Sequence, residues 1–205
     1  MEPTNTLAIY GQSGHGKVIA DIALACGFST ILWIDDDPQK EQALSYDTFK
    51  KLYPNIPVAL GIGDNFLRQK IFEKITYDNL STPPLIHPSA IISKSATIDA
   101  GSVVMPLAII NADSHIAKGV IINSGAIIEH DCYLGNFVHV SPGSALAGGV
   151  NVGVLTHIGI GSSIIQNITI GSQSIIAAGS SVVSNVASNV MVAGVPAIHK
   201  KELHG

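Results

Sequence analysis

The sequence predicts a two-part chain, a Rossmann-like α/β unit with a parallel sheet followed by an all-β parallel solenoid of three-sided coils. Three observations carry this: an aliphatic residue at every sixth position through the second half, strand, glycine-turn and helix patterns before it, and an almost wholly aliphatic core composition. Hydrophobic residues make up 46% of the 205-residue chain, yet aromatics contribute 5% and charged residues 13%. An ordinary globular domain has more of both, so the bias directs attention to repeats.

Every sixth residue from Ile92 reads Ile92, Ile98, Val104, Ile110, Ile116, Ile122, Ile128, Leu134, Val140, Leu146, Val152, Ile158, Ile164, Ile170, Ile176 and Val182. Two residues earlier the side chain is usually small, as at Ala108, Ser114, Ala126, Cys132, Ser144 and Ser162, with exceptions at Val120, Val138, Val150 and Ile168. A period of six is too long for a helix face and too regular for hairpins; it fits a short strand plus a corner, with three hexads closing one coil. The large aliphatic residue fills the interior, and the small one also points inward beside the corner. Residues eighteen apart then stack, and the segment from Ile92 to Val182 holds roughly five coils, above the three that a solenoid needs to bury its core.

Before the repeat, Leu7–Tyr10 leads through Gly11-Gln12-Ser13-Gly14-His15-Gly16 into apolar residues at helical spacing, Val18, Ile19, Ile22, Ala23 and Ala25. A second apolar run, Thr30–Ile34, ends in Asp35-Asp36-Asp37-Pro38. A third, Pro57–Ile62, ends in Gly63-Asp64-Asn65 before a helical pattern through Phe66, Lys70 and Ile75. The βαβαβα order predicts a ligand cleft at the carboxyl ends of the strands. Glycines in the first turn let amides at the helix start approach a phosphate, and the Asp35-Asp36 pair stands where an acid accepts from a ribose or a base edge. The spacing is G-x-x-G-x-G, not the dinucleotide G-x-G-x-x-G, and the length before the repeat suits one mononucleotide-binding half. The first unit is assigned to residues 1–84 and the solenoid with a carboxyl-terminal loop to 85–205. Pro83-Pro84 and His87-Pro88 stiffen the passage between them.

Eleven basic and fifteen acidic residues leave a net charge of −4 with no basic cluster, which argues against a nucleic-acid or membrane-surface partner. Two isolated cysteines, Cys26 and Cys132, fit a reducing compartment. Residues 1–6 lack a signal-peptide pattern, and no apolar window is long enough for a membrane span, so a cytoplasmic location is expected.

Among the eight histidines, His130 stands out. It follows the core position Ile128 by two residues, where the chain turns a corner and the side chain faces outward, with Glu129, Asp131 and Asn123 nearby in sequence. A carboxylate beside imidazole raises its basicity and fixes its tautomer, as a general base near neutral pH requires. Neither cysteine has an activating base in a nucleophile motif.

The repeat resembles the hexapeptide-repeat acyltransferases, whose fold is a left-handed parallel β-helix and which usually assemble as trimers. Tyr10 to Gly16, Ile34-Asp35-Asp36 and Gly61 to Asn65, together with Ile128-Glu129-His130-Asp131-Cys132 and Phe137 to Ser141, are similar to sugar acyltransferases that include the UDP-N-acetylbacillosamine-type N-acetyltransferases of bacterial protein glycosylation. The resemblance implies acetyl-CoA as co-substrate, no metal, and transfer to the 4-amino group of a UDP-linked amino sugar. It assigns Ser13, Gly14, His15, Asp35, Asp36, Gly63 and Asn123 to substrate binding. His130 becomes the base and Asp131 its orienting acid, while His139, Gly148, Ile160, Ala178 and Gly194 contact acetyl-CoA. Two positions depart from the pattern: Asp131 replaces a Glu, and Ala178 a Gly. The readings that compete are a GDP-linked amino sugar, O-acetylation of a sialic-acid-type sugar, a γ-class carbonic anhydrase using the stacked His139 and His157, and a non-enzymatic scaffold.

Overall fold

A computed structural model describes residues 5–203; residues 1–4 and 204–205, including most of the polar amino terminus and His204, lie outside it. In the amino-terminal unit, β1 (Thr6–Tyr10) is central in a parallel sheet with β2 (Thr30–Ile34) and β3 (Val58–Leu60), order β2-β1-β3. Every residue of β1 is buried, as a parallel strand covered on both faces requires. Helix α1 (Gly14–Ala25) follows the glycine turn, and α3 (Asn65–Tyr77) starts where the Asp64 carboxylate accepts from the Leu67 amide at 2.8 Å. Between β2 and β3 lies α2 (Tyr46–Leu52), whose seven residues are too few to display a helical period. Its ends mark it: the Ser45 hydroxyl caps the Thr48 amide, Asp47 lies in the first turn, and Lys50 and Lys51 lie in the last.

The rest of the chain is a left-handed parallel β-helix of about six coils. It gains a coil over the sequence estimate because Leu85–Ile86 and Val190–Ala193 also pair on one face. Three faces alternate along the chain. Face I carries strands such as Val103–Val104, Ile121–Ile122, His139–Val140 and His157–Ile158. Face II carries Ile109–Ile110, Ile127–Ile128 and Ala145–Leu146, and face III carries His115–Ile116, Tyr133–Leu134 and Asn151–Val152. The pairing register is eighteen residues along these faces, as in Ile109↔Ile127↔Ala145, and sixteen at the last step, Ile175↔Met191. From Val104 onward the hexad aliphatics are buried in one core; Ile92 and Ile98 are only partly covered because the first coil has no coil beneath it. Val120, Val138, Val150 and Ile168 join the same core.

The small residues two before each hexad aliphatic form a second, polar ladder inside the prism. Ser102, Ser114, Ser144, Thr156 and Ser162 each donate a hydroxyl to the carbonyl fifteen residues ahead, at 2.7–3.0 Å. Ser102, Ser114 and Thr156 also accept from the amide eighteen ahead. Each hydroxyl thus satisfies a carbonyl inside the prism, and those three an amide as well, a net contribution of about 1 kcal/mol per bond. Cys132 occupies one rung, its thiol 3.3 Å from the Ala147 carbonyl.

The α/β unit lies on face I. Leu7, Ile9, Ile19, Ile22 and Ala59 share a buried cluster with the outward side chains Leu85, Val103 and Ile121, and Phe72 meets Phe137 edge-on at 5.5 Å. At the far end the exposed strand Ile198–Glu202 runs antiparallel to Val190–Ala193 and covers that edge of face I.

Candidate functional site

The first cleft opens at the carboxyl ends of β1, β2 and β3. It has a volume of about 370 Å³ and is lined by Tyr10, Gly11, Ser13, Asp35, Asp36, Gly63, Leu67 and Ile71, among others. Three glycines allow it to form. A Cβ on Gly16 would sit 2.0 Å from the Gly11 carbonyl oxygen, and one on Gly61 would sit 2.7 Å from that same oxygen. Gly11 itself has φ +108°, a conformation that L side chains rarely adopt. At Gly14 and Gly63, by contrast, a Cβ would meet nothing within 4 Å; their bare backbone faces open space, as close approach of a ligand requires.

The two acids have different partners. Asp35 accepts from the Gln12 amide at 2.8 Å and the Asp37 amide at 3.0 Å, one on each oxygen, so lone pairs remain on both. Asp36 is more heavily engaged, accepting from the Tyr10 hydroxyl at 2.5 Å, the Tyr46 amide at 2.9 Å and the Lys74 ammonium at 3.2 Å. Burial raises the Asp36 pKa, but these hydrogen bonds outweigh it and hold the carboxyl below its ordinary range. The same bond, added to burial, pushes the Tyr10 phenol well above its usual value. Asp36 thus braces the cleft wall, and Asp35 is the acid with capacity to spare.

A second groove of about 380 Å³ runs along face I and the edge between faces I and II, beyond the reach of the α/β unit. Its lining includes Ser141, Pro142, His157, Gly159, Ile160, Ile175, Ala177, Ala178 and Met191. It is mostly apolar, with one polar pair: His157 Nε2 lies 2.8 Å from the Ser141 hydroxyl. Of the residues assigned to acetyl-CoA, Ile160 and Ala178 line this groove. Gly194 lies at the end of face I with φ +104°, its carbonyl accepting from Ser181.

His139 stands between the two clefts. Its ring stacks on His157 at 4.7 Å and tilts against His15 at 6.4 Å, while Asn123 Nδ2 approaches its Nε2 at 3.2 Å. Asn123 Oδ1 accepts from the Ser124 amide, which turns the Asn123 amide nitrogen toward the His139 ring. Burial, assisted by the neighbouring Arg68 charge, lowers the pKa of His15 to about 4. Burial, then His157 and Arg68, lower that of His139 to about 3. His157 is lowered by the same burial and the same arginine. All three imidazoles are neutral near pH 7. Among the described residues no group of three or more His, Cys, Asp or Glu is arranged to hold a metal ion.

His130 lies elsewhere, on the prism edge between faces II and III. Its side chain is 63% exposed, and its Nδ1 is 2.8 Å from Asp131 Oδ2. That hydrogen bond, the leading influence, raises the pKa of the imidazole. Asp131 occupies a corner at φ +59°, the conformation also taken by Asp113, Gly149 and Asn167 along this edge; Asp and Asn tolerate it better than most residues. Directly above, a Cβ on Gly148 would come within 2.5 Å of the His130 ring, so Gly148 gives the imidazole its seat. His130 therefore presents Nε2 outward on the one edge that face I does not share. A single chain brings Ser13, Gly14, Asp35, Asp36 and Gly63 together, with His15 beside them, and brings His139 to Asn123. It does not bring His130 to either cleft.

The sequence reading missed Arg68, gave Asn65 and Ser141 no role beyond the motifs that contain them, and took His157 only as a metal ligand in a competing reading. Arg68 is 1% exposed and has no carboxylate in hydrogen-bond contact; its donors reach the carbonyls of Gly119, Ile62, Gly63 and Phe137 and the Asn65 side chain. Burial lowers its pKa to about 9, which leaves it charged near pH 7. A helix arginine bonded to main-chain oxygens has no spacing signature that could have revealed it.

Residues 6–75 match the family model described as the PglD N-terminal domain. A UDP-N-acetylbacillosamine N-acetyltransferase of Bacillus subtilis is 38% identical over 109 residues, a segment that spans 48% of this chain and only 50% of that protein. The structure of PerB from Caulobacter crescentus, in complex with CoA and GDP-perosamine, superimposes with a TM-score of 0.91 at 38% identity, covering 97% of this chain and 99% of that one. The acetyltransferase domain of PglB from Neisseria gonorrhoeae, in complex with acetyl coenzyme A, gives a TM-score of 0.90 at 35% identity over 97% of this chain and all of that domain. With similarity running through the glycine loop, the solenoid and nearly the full length of both solved structures, the chain belongs to the hexapeptide-repeat family of sugar N-acetyltransferases.

Proposed function

We propose that this protein transfers the acetyl group of acetyl-CoA to the 4-amino group of a UDP-linked amino-deoxy sugar, with His130 as general base. The observation that carries the reading is the His130–Asp131 pair seated on Gly148 and exposed on a rigid corner, in a chain that also builds a glycine-lined nucleotide cleft. With Nδ1–H held by Asp131, His130 Nε2 accepts a proton from the sugar amine as its nitrogen attacks the thioester carbonyl. A backbone amide stabilises the oxyanion, the C–S bond then breaks, and the departing thiolate takes up the proton held by His130, which releases CoA as its thiol and restores the base. The first cleft holds the nucleotide, with Ser13, Gly14 and Gly63 presenting backbone near the phosphates and Asp35 accepting from the ribose or base. The groove along Ile160 and Ala178 takes acetyl-CoA, its apolar wall facing the pantetheine arm.

This reading calls for more than one copy of the chain, because His130 and the nucleotide cleft lie on different sides of one prism. Face II supports a homotrimer: its outward row Ile91, Ile109, Ile127 and Ala145 is apolar and unoccupied by the α/β unit. Packing these rows together would set the His130 edge of one protomer against the groove edge of its neighbour. Among the described residues no helix is long and apolar enough to cross a membrane; use of acetyl-CoA fits the cytoplasm.

A GDP-linked amino sugar is the second reading, favoured by the likeness to PerB over nearly the whole chain. Turnover with acetyl-CoA against UDP- and GDP-linked 4-amino sugars and a free sialic acid, read as thiol release, separates the readings. Release with the sialic acid alone would overturn N-acetylation. The route is direct: Cys132 is buried, its thiol is engaged with the Ala147 carbonyl, and burial pushes its pKa up. Cys132→Ala should keep activity within about 3-fold; a loss comparable to that of His130→Ala would indicate an acyl-enzyme.

A further inference from the structure

Arg68 and Asn65, both on α3 and both buried, span a repeating feature of the solenoid. Arg68 Nε donates to the Gly119 carbonyl at 2.7 Å and Nη2 to the Phe137 carbonyl at 2.8 Å, while Asn65 Nδ2 donates to the Leu155 carbonyl at 2.9 Å. Positions 119, 137 and 155 are successive rungs of one prism edge, between faces III and I, and all adopt left-handed φ of +64°, +59° and +63°. The two side chains are joined by Arg68 Nη2 to Asn65 Oδ1 at 2.9 Å. Arg68 Nη1 turns the other way, to the carbonyl of Gly63 at 2.9 Å, and Gly63 lines the nucleotide cleft.

A ladder of identical carbonyls would by itself permit the unit to dock one coil higher or lower. The side chains on the same edge remove that freedom. Gly101 and Gly119 are followed by Phe137 and Leu155; a Cβ on Gly101 would strike the Phe72 ring at 2.7 Å, and one on Gly119 the Phe137 ring at 2.3 Å. Phe72 fits only where the edge is bare below and bears an aromatic above.

We propose that Arg68 is a positioning residue for the acetyl transfer, which with Asn65 clasps three coils of the solenoid and fixes the nucleotide cleft at one height along it. The inference rests on the transferase reading above for its kinetic consequence, though not for the clasp itself. A sugar amine must meet a thioester laid along the same prism, so a tilt of the α/β unit moves one reactant and not the other. The guanidinium carries charge but meets only neutral acceptors, in keeping with a structural fork able to reach carbonyls in three directions.

The test is Arg68→Met, which keeps a long apolar stem and removes every donor, beside Arg68→Lys and Asn65→Ala. Steady-state kinetics on the purified full chain should show kcat reduced at least 10-fold in Arg68→Met, since misplacement of about 1 Å costs up to 10²-fold. The KM for acetyl-CoA should stay within about 2-fold of wild type, because none of the Arg68 hydrogen bonds goes to a residue lining the groove and its charge reaches His157 only through space; Arg68→Lys should recover part of kcat. Amide hydrogen exchange should accelerate at residues 61–65 and at the 119, 137 and 155 corners. If Arg68→Met does not fold, Asn65→Ala should show the same split with a smaller loss of kcat. Wild-type kcat and exchange in a folded variant would overturn the proposal, as would equal damage to KM for both substrates. If the wild-type chain acetylates no nucleotide amino sugar, the transferase reading fails, and the exchange pattern alone decides the clasp.

Discussion

Replacing His130 with alanine is expected to lower kcat about 10³-fold while leaving the KM for acetyl-CoA nearly unchanged, because in the proposed mechanism the side chain meets the reacting amine, and it does not line the groove of its own chain. Its pH dependence should be equally distinctive. The base must be neutral to act, and its hydrogen bond to Asp131 raises the pKa above the ordinary imidazole value. Activity is therefore lost as pH falls through a midpoint raised above the ordinary imidazole range, and approaches a plateau on the alkaline side. Asp131→Asn removes the charge that favours the imidazolium, so the acid midpoint should move downward. The plateau should also fall, since the ring loses the partner that fixes its tautomer. A kcat/KM–pH profile for both variants checks this; an unshifted midpoint in Asp131→Asn would remove Asp131 from the mechanism.

The second large effect is expected at face II. Ile109 points outward midway along the row that runs from Ile91 to Ala145, on a strand whose other residue, Ile110, fills the core. Ile109→Asp leaves the core untouched and places a carboxylate where a neighbouring copy would pack. Burying an isoleucine side chain contributes about 1.5–3 kcal/mol, and threefold symmetry repeats the loss in every protomer. The variant should become monomeric by light scattering, keep a β-rich circular dichroism spectrum, and lose at least 100-fold in turnover. A fully active monomer would rule out a site shared between copies.

The solenoid was legible because its rule is local: one large aliphatic per hexad, one small residue two positions earlier, and a corner between. Ile128 and Leu146 obey the rule independently, so sixteen repetitions made it unmistakable. The first coil was less visible, as Leu85–Ile86 lies among prolines that obscure the period. The parallel sheet of the α/β unit was likewise legible in its apolar runs, whereas α2 was not, having only two buried residues, Tyr46 and Phe49, to announce it. At the site, sequence singled out His130 from the acids beside it. It could not say that His130 would stand on the edge remote from the nucleotide cleft, because the hexad count alone does not reveal which face the α/β unit covers. Nor could it distinguish Asp35 from Asp36. That difference arises from Tyr10, Tyr46 and Lys74, which come to Asp36 from three separate elements.

The hydroxyl ladder inside the prism gives the molecule a direction of growth. Each rung at Ser102, Ser114 or Thr156 reaches only toward the carboxyl end, to an oxygen fifteen residues on and a nitrogen eighteen on. An inserted eighteen-residue turn that kept the pattern would be wired identically on both sides. Beyond the Leu155 corner such an insertion would lengthen the groove along Ile160 and Ala178 and disturb nothing under the α/β unit; below it, every contact made by α3 would fall out of step. Descendants of this chain should therefore vary in length at the far end of the prism and stay constant in coil number beneath the nucleotide cleft.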